Sequence, residues 1–425
     1  MRWPATRRSG RTLDTEPRQR SWIQLSPRTL LASTGASSRG SIPSDTTPPI
    51  MRSPREANFQ ADLRHYRPHI PQLLDAILTG DCLSFCPIRK DAFLRDFESE
   101  TDQHCSPALV STLLALATLL APEKMAALAA SSPGGSSPEG LGYAFAQDAV
   151  ASLYNGERLP RRIADIQAIG ILALYSFCGG EMKDGLGFAG DYGIAIATRW
   201  ERKDDEATFP DRETCAYIYC AALSFNRLFF LIEDYQKTLD ELAIEVGIDR
   251  PVLHDANSAV LKTNLSGSMT DDIFFMRDFS LSPDDPKVLA AKLFEFAEWV
   301  YEARCNPDKT MEQAIEVYQN GLHWYDTLFE YTRKCSSQTP FTLFTHAYYQ
   351  FGVMCLLTPY VLESIPITSD GTLPMAACRQ AAGDIEQLVQ HYGNLYNEAN
   401  LFDFMPFFKT AMFRFLEICN ASKCE

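Results

Sequence analysis

A run of fourteen residues after Ser106 constrains the fold of this 425-residue chain most. The pair Ser106-Pro107 combines a residue that caps helix N-termini with a proline that suits the first helical position. Ala108–Leu120 is apolar on nearly every side, so a helix formed here has no face to offer to water. Other elements must therefore surround it. We predict a central, fully buried helix over residues 108–120.

Apolar residues at helical spacing predict further helices in the first half of the chain. Ile163–Phe177 carries one apolar face and ends at Gly179-Gly180. The next helix, about Gly185–Arg199, has a buried stripe of mostly small residues, so the two are expected to form a closely packed helical hairpin. Glu213–Ile232 predicts another helix, whereas Asp234–Ser282 mixes short apolar runs with Gly, Pro and Asn and is expected to be irregular.

Helical signals return after that irregular segment. The predicted starts are Ser282-Pro283 and the capping box Thr310-x-x-Gln313, and the later helices are Phe341–Leu362, Met375–Tyr396 and about Pro406–Cys419. The expected apolar face of the helix after Thr310 is Ile315, Tyr318, Leu322, Tyr325 and Phe329. No stretch alternates strictly between apolar and polar residues between hairpin turns, so we predict an all-α fold, a multi-helical bundle with helical hairpins.

Composition and charge divide the sequence into two parts. Residues 1–55 are rich in Ser, Thr, Pro and Arg, and we expect them to be a disordered tail. The tail carries a net charge of +7 while the whole chain carries −15, so the remainder carries about −22. Residues 57–425 are expected to form the helical body, with a flexible loop at 131–142. So acidic a body is a poor nucleic-acid binding surface, which leaves only the tail for such contact.

Twelve cysteines are scattered through the chain, most of them in apolar helical stretches, which favours a reducing compartment. The first residues lack the continuous apolar segment of a secretory signal. Their composition resembles a mitochondrial transit peptide, although Pro4, Pro17 and Pro27 interrupt any amphipathic stripe. The longest apolar run, Pro107–Ala121, is too short to span a bilayer, so we expect no membrane segment.

One short pattern matches a dinucleotide-binding motif. Gly185, Gly187 and Gly190 fit G-x-G-x-x-G, and Asp205 lies at a distance that suits a ribose-binding acid. That motif requires a strand leading directly into the first glycine, whereas the preceding residues are polar and the run before them has helical spacing. We therefore interpret the three glycines as contacts for close helix packing.

Three further patterns suggest metal chemistry, and each is incomplete. Asp271-Asp272 resembles the start of the aspartate-rich magnesium motif of helical terpene cyclases, but Phe275 stands where its third carboxylate would be. His65 and His69, and separately Cys82 and Cys86, have helical spacing, but no third and fourth ligand accompanies either pair. The serine-nucleophile pattern G-x-S-x-G is absent. We expect no catalytic, cofactor-binding or metal-binding residues.

Two ordered stretches in the first half of the chain have recognisable features. The lead-in Phe93–Phe97 precedes the apolar helix of Cys105–Ala117. The sequence IADIQAIGILALYSFCGGEMKDGLGFAGDYGIAIA, Ile163–Ala197, joins a helix containing Gln167 to a second helix with small residues through a glycine turn. This second stretch is the more specific.

Two more stretches follow in the second half. Arg212-Glu213 opens a helix that contains Ser224-Phe-Asn-Arg227. Leu343–Leu362 contains His346 with the pair Tyr348 and Tyr349, and the helix Cys378–Tyr396 comes next. In this order, over about Phe85 to Cys419, the four stretches resemble the regulatory middle region of fungal zinc-cluster transcription factors.

The chain departs from that family at several positions. Asn226 stands where the family usually has Asp, and Tyr217 and Tyr219 occupy a region where Trp is common. Members of the family usually carry six cysteines that hold two zinc ions near the N-terminus, and this sequence has no cysteine before Cys82. Either the protein does not bind DNA directly, or its DNA-binding segment is missing from this version of the chain.

The resemblance implies a nuclear regulator of RNA polymerase II genes, such as a metabolic or secondary-metabolite gene set, and no enzyme. Its expected partners are proteins of the transcription machinery or a zinc-cluster factor, as a homo- or heterodimer, without a membrane. No cofactor is expected, since the zinc of the family has no six-cysteine cluster here. The alternatives are a co-regulator that dimerises with a full-length zinc-cluster factor and, in another class, an all-α enzyme of the terpene-cyclase type.

Overall fold

A computed structural model describes residues 66–78, 85–101, 103–130, 138–155, 159–200, 212–247, 286–306, 310–335, 339–396 and 404–421. The predicted tail, residues 1–55, lies outside these ranges, as do Asp205 and Asp271-Asp272. The described residues all belong to one contact unit, Ile50–Glu425. They form helices and contain no strand, which confirms the all-α prediction.

The described residues contain thirteen α-helices. The first seven are α1 (Ile70–Leu78), α2 (Lys90–Ser99), α3 (Pro107–Leu120), α4 (Pro122–Ala130), α5 (Pro138–Leu153), α6 (Ile163–Cys178) and α7 (Met182–Trp200). The others are α8 (Arg212–Glu245), α9 (Pro286–Cys305), α10 (Met311–Cys335), α11 (Pro340–Leu357), α12 (Pro374–Tyr396) and α13 (Met405–Ala421). Two short 3-10 turns, Arg67–His69 and Thr358–Tyr360, precede α1 and follow α11.

Helix α3 is the central buried helix that its sequence predicts. Its N-cap Ser106 accepts a hydrogen bond from the backbone N–H of Leu109 at 3.2 Å. Every residue from Ala108 to Thr118 is buried, because α1, α5 and α6 pack around this helix. The polar side chains at Ser111 and Thr112 are satisfied internally, the first by Asp148 and the second by a carbonyl of its own helix.

The predicted hairpin of α6 and α7 is also confirmed. Helix α6 is buried from Ile163 to Leu174, and Gly180 turns the chain with a φ of 84°. A Cβ atom at Gly185 would lie 3.4 Å from the carbonyl oxygen of Ala173, so the small side chain lets α7 approach α6 closely. Two helices of the first half thus pack as the spacing of their small residues indicates.

In the second half, α11 takes the central position. All eighteen of its residues, Pro340–Leu357, are buried. Helices α9, α10, α12 and α13 pack around it, and α9 buries one apolar face made of Leu289, Leu293, Phe296, Ala297 and Val300. The predicted start of α9 at Ser282-Pro283 lies outside the described residues. The helix α11 ends at Leu357, earlier than predicted, because a 3-10 turn containing Pro359 replaces it.

Helix α8 joins the two halves. It packs against α7 on one side and against α9 and α13 on the other. Around its middle, phenylalanines from both halves cluster on Phe225: Phe85 stacks on it at 5.3 Å between ring centroids, and Phe404 meets it edge-on at 5.8 Å. Phe177 of α6 also contacts Phe404, at 4.4 Å. Through these ring contacts, α6 and α8 both pack against Phe404, which directly precedes α13.

The prediction that residues 234–282 are irregular is wrong for its first part, since α8 continues to Glu245. Two of its acidic residues have arginine partners on distant helices: Asp234 pairs with Arg304 at 2.6 Å, and Asp240 pairs with Arg414. The polar positions that interrupt the apolar stripe are therefore contacts between helices. Residues 248–282 lie outside the described part.

Two smaller predictions also need correction. The loop predicted over residues 131–142 is helical from Pro138, where proline suits the first turn of α5, and residues 131–137 lie outside the described part. On α10, Leu322 of the predicted face is 38% exposed, and the buried positions include Gly321 and Trp324. Gly321 decides the rotation of α10, because it admits the ring of Phe296 close to the backbone.

Two glycine substitutions test how tightly α11 is packed. A Cβ atom at Gly352 would lie 2.6 Å from Cε1 of Phe296, so we expect Gly352→Ala to lower the free energy of unfolding by about 1–3 kcal/mol. Nothing lies within 4 Å of a Cβ atom at Gly383 in α12, so Gly383→Ala is expected to raise it by about 0.5–1 kcal/mol. Urea unfolding measures both, and equal shifts for the two variants would contradict this packing.

Candidate functional site

The glycine motif lies within helix α7, and the element before it is helix α6 and not a strand. Gly185 and Gly190 are buried, and Gly185 faces α6 as described above. Gly187 is exposed, and nothing lies within 4 Å of a Cβ atom placed there, so the interpretation of all three glycines as packing contacts is wrong for Gly187. In the described residues, the pattern is part of the α6–α7 hairpin.

We call the four stretches described in the sequence analysis the motif stretches. Their polar residues lie inside the protein and connect its helices and turns. The buried side chain of Gln167 in α6 donates from Nε2 to the carbonyl oxygen of Pro87, which fastens the segment before α2. Asn226 in α8 donates from Nδ2 to the carbonyl oxygens of Ala189, at 2.7 Å, and Ala222, at 2.8 Å. An amide at this position can donate to both carbonyls, which an ionised carboxylate cannot do.

Arg227, the residue after Asn226, forms a buried ion pair between α8 and α9. Its guanidinium pairs with the carboxylate of Glu298, and both side chains are 5% exposed. The guanidinium carbon also lies 4.7 Å from the ring centroid of Tyr301, within the range of a cation–π interaction. Because Glu298 lies among the apolar positions of α9, this pair fixes how α8 and α9 face each other.

His346 of α11 is another buried polar residue of the motif stretches. Its Nδ1 lies 3.1 Å from the hydroxyl of Tyr325 in α10, and the two rings meet edge-on at 5.4 Å. Burial lowers the pKa of His346 from 6.5 to about 4, so the imidazole is neutral at neutral pH. This histidine therefore connects α10 to α11 through a neutral hydrogen bond.

Beside these groups, aromatic side chains of three helices form one stack. Tyr349 lies 4.0 Å from Tyr325 and 5.9 Å from Trp324 between ring centroids, with nearly parallel planes in both cases. Phe296 of α9 stacks on Trp324 at 4.9 Å and also contacts Tyr348 at 6.2 Å. We call this group, with His346, Arg227 and Glu298, the polar–aromatic cluster.

Three polar atoms of the polar–aromatic cluster are buried and have no hydrogen-bond partner: Nε1 of Trp324 and the hydroxyl oxygens of Tyr348 and Tyr349. Burial raises the pKa of both tyrosines, so both hydroxyls remain protonated donors. A buried donor without a partner costs about 1–3 kcal/mol. The chemistry that the cluster offers is therefore hydrogen-bond donation beside aromatic faces.

A surface groove of about 290 Å³ lies near the cluster, between the end of α9 and the start of α10. Trp299 and Ala303 contribute its apolar part, and Glu302, Glu316 and Asn320 contribute polar groups. Its lining contains no lysine or arginine, so the groove is acidic.

The remaining candidate residues do not meet in one site. His69 lies in the 3-10 turn before α1, while His65 and Cys82 are outside the described part. Cys86 is buried, and burial raises its pKa well above the usual range, which keeps it a thiol. Among the described residues, no group of three or more His, Cys, Asp or Glu side chains could hold a metal ion.

One helix has the length and composition of a membrane span. Thr214–Glu245 contains an eighteen-residue window with a mean hydropathy of 1.5, and 83% of that window is buried inside the protein. The sequence predicts this helix only over Glu213–Ile232 and gives Pro107–Ala121 as the longest apolar run, so a helix of this length and hydropathy was not expected. Burial of this extent against neighbouring helices is typical of a core helix.

Comparison of the chain with protein-family models, with curated proteins and with solved structures finds no match.

A double-mutant cycle tests the ion pair of the polar–aromatic cluster. Arg227→Met leaves the carboxylate of Glu298 buried without its partner, so we expect the free energy of unfolding to fall by about 3–5 kcal/mol. Adding Glu298→Leu removes the second charge and is expected to restore most of that loss. Lys237→Met, which breaks the partly exposed pair with Glu233 on the same helix, serves as control and costs less than about 0.5 kcal/mol. A double variant as unstable as Arg227→Met would contradict this assignment.

The buried imidazole of His346 predicts a pH dependence. Because folding lowers its pKa to about 4 from 6.5, the unfolded chain binds a proton at a pH where the folded chain does not. The stability that this group contributes is full above about pH 6.5 and falls by about 3 kcal/mol as the pH drops to 4.

Urea unfolding at several pH values measures this effect as the difference between the wild type and His346→Gln. We expect the variant to lose less stability than the wild type between pH 6.5 and pH 4. His323→Gln, at an exposed position of α10, is the control and should follow the wild type. Parallel curves for the wild type and His346→Gln would show that His346 is not the titrating group.

Proposed function

We propose that this chain is a nuclear transcriptional regulator of the fungal zinc-cluster type, which acts on RNA polymerase II genes through its helical body. The observation that carries the proposal is the order of the four motif stretches, from Cys105–Ala117 to Leu343–Leu362. Their polar members, Gln167, Asn226 and His346, are buried or half-buried contacts between elements. Residues with that role are the ones a shared helical architecture would require at fixed places in the sequence.

The charge of the body supports action through protein partners. At about −22, residues 56–425 repel nucleic-acid phosphates, so contact with DNA is left to a partner or to another segment. We propose that the partner is a component of the transcription machinery or a zinc-cluster factor, in a homo- or heterodimer. The genes controlled are proposed to be a metabolic or secondary-metabolite set.

A reporter assay with the full chain tests the proposal. Fused to a foreign DNA-binding domain in a fungal host, the chain is expected to activate or repress a reporter relative to that domain alone. Arg227→Met is expected to abolish the effect because it leaves Glu298 buried without its partner and destabilises the body, whereas Lys237→Met retains it. An unchanged reporter under every growth condition, with the fusion protein present in the nucleus, would overturn the proposal.

The co-regulator alternative gives a different result in the same host. If the chain acts only when bound to a full-length zinc-cluster factor, its immunoprecipitate from nuclear extract contains that factor, and its reporter effect disappears when the factor is deleted. An effect that persists after the deletion favours direct action of this chain.

A further inference from the structure

The segment Val361–Leu373, between α11 and α12, is a turn with an internally fixed backbone. Ile367 and Thr372 are joined by a backbone hydrogen bond of 2.8 Å, and Gly371 turns the chain with a φ of 86°. Asp370 accepts hydrogen bonds from the hydroxyls of Thr368 and Thr372. These bonds fix the backbone of residues 367–372.

The turn is also fastened to the body. The side chain of Ile367 is 1% exposed, and its carbonyl oxygen accepts a hydrogen bond from Nε2 of Gln319 in α10 at 3.0 Å. Val361, at the other end, is 5% exposed. Ile367 is therefore fixed against α10, and Val361 is buried in the body.

This fixed segment presents aliphatic side chains to solvent. Leu362, Ile365 and Leu373 are 56%, 52% and 38% exposed, and they are three of the nine large hydrophobic residues that are exposed in the described part. Leu322, 38% exposed, lies three residues after Gln319 and so on the same face of α10. We call these four residues the loop surface. Single exposed leucines are ordinary, but several on one ordered turn indicate a binding surface.

The two segments that carry the loop surface are acidic. The segment 361–373 contains Glu363 and Asp370 and no lysine or arginine, and the first turns of α10, residues 311–320, contain Glu312 and Glu316 and no basic residue. Hydrogen bonds from Thr368 and Thr372 lower the pKa of Asp370, so it is ionised at neutral pH. An aliphatic surface with an acidic border is complementary to an apolar segment with basic neighbours.

We propose that the loop surface docks a segment of a partner protein in which aliphatic residues lie between lysines or arginines. A second copy of this chain fits less well, because a symmetric contact would bring Glu363 and Asp370 against the same residues of the partner. The fixed turn lowers the cost of ordering on binding, which favours recognition of a short segment. The proposal goes beyond transcription and holds for any function of the body.

Two synthetic peptides with the same leucine positions test the docking with the full chain. One carries lysine and arginine at its polar positions, and the other carries glutamate. Fluorescence anisotropy is expected to show binding of the basic peptide, weakened about tenfold by Ile365→Ser, which corresponds to about 1.4 kcal/mol. Leu395→Ser removes an equally exposed leucine from α12 and should leave the affinity unchanged.

Charge reversal supplies the second arm. Glu363→Lys is expected to weaken binding of the basic peptide and to reduce the repulsion of the acidic one, since it replaces one of the four acidic charges of the border by a positive charge. The proposal is overturned if the basic peptide fails to bind the wild type, if both peptides bind alike, or if Leu395→Ser weakens binding as much as Ile365→Ser does. It is also overturned if sedimentation shows a dimer that Ile365→Ser dissociates, because the occupant is then a second copy. If the reporter fusion has no effect while the basic peptide still binds, the transcriptional proposal is refuted and the docking proposal stands.

Discussion

The structure depends on helices that have no polar face. Helices α3 and α11 are buried on all sides, and α6 is buried over most of its length. An apolar helix of this kind is stable only when other helices exclude water from its whole circumference. The number and arrangement of the surrounding helices follow from this requirement: α1, α5 and α6 enclose α3, while α9, α10, α12 and α13 enclose α11.

Burial alone does not decide how apolar helices rotate against each other, and in this protein buried polar groups supply that information. Asn226 sets α8 against α7, Arg227 sets α8 against α9, and His346 sets α11 against α10. Each group is costly to bury and becomes tolerable only when its partner is in place. An incorrect rotation would leave a charge or an amide without a partner, so these contacts make one packing arrangement better than its neighbours.

The sequence predicted most helices because their apolar spacing and caps are local signals, as at Ser106 and Gly180. It missed residues 233–245 of α8 because Asp234 and Asp240 look like surface residues until Arg304 and Arg414, far along the chain, are brought beside them. The same limit applies to the polar–aromatic cluster. The motif stretches indicated Arg227 and His346, whereas Glu298 and Tyr325 join them only through tertiary contacts. A glutamate within the apolar stripe of α9 was the one local sign of Glu298.

Helix α8 contacts both halves of the body through different faces. This arrangement limits where residues can be inserted into the chain or deleted from it. One residue added to an α-helix rotates everything beyond it by about 100° and advances it by about 1.5 Å. An insertion between Arg227 and Asp234 would keep the contacts of Asn226 with α7 and of Arg227 with α9, and would displace the pairs of Asp234 with Arg304 and of Asp240 with Arg414, because both sets cannot be satisfied in the new register. Length changes among related chains are therefore expected to spare this helix and to collect in the connections on either side of it.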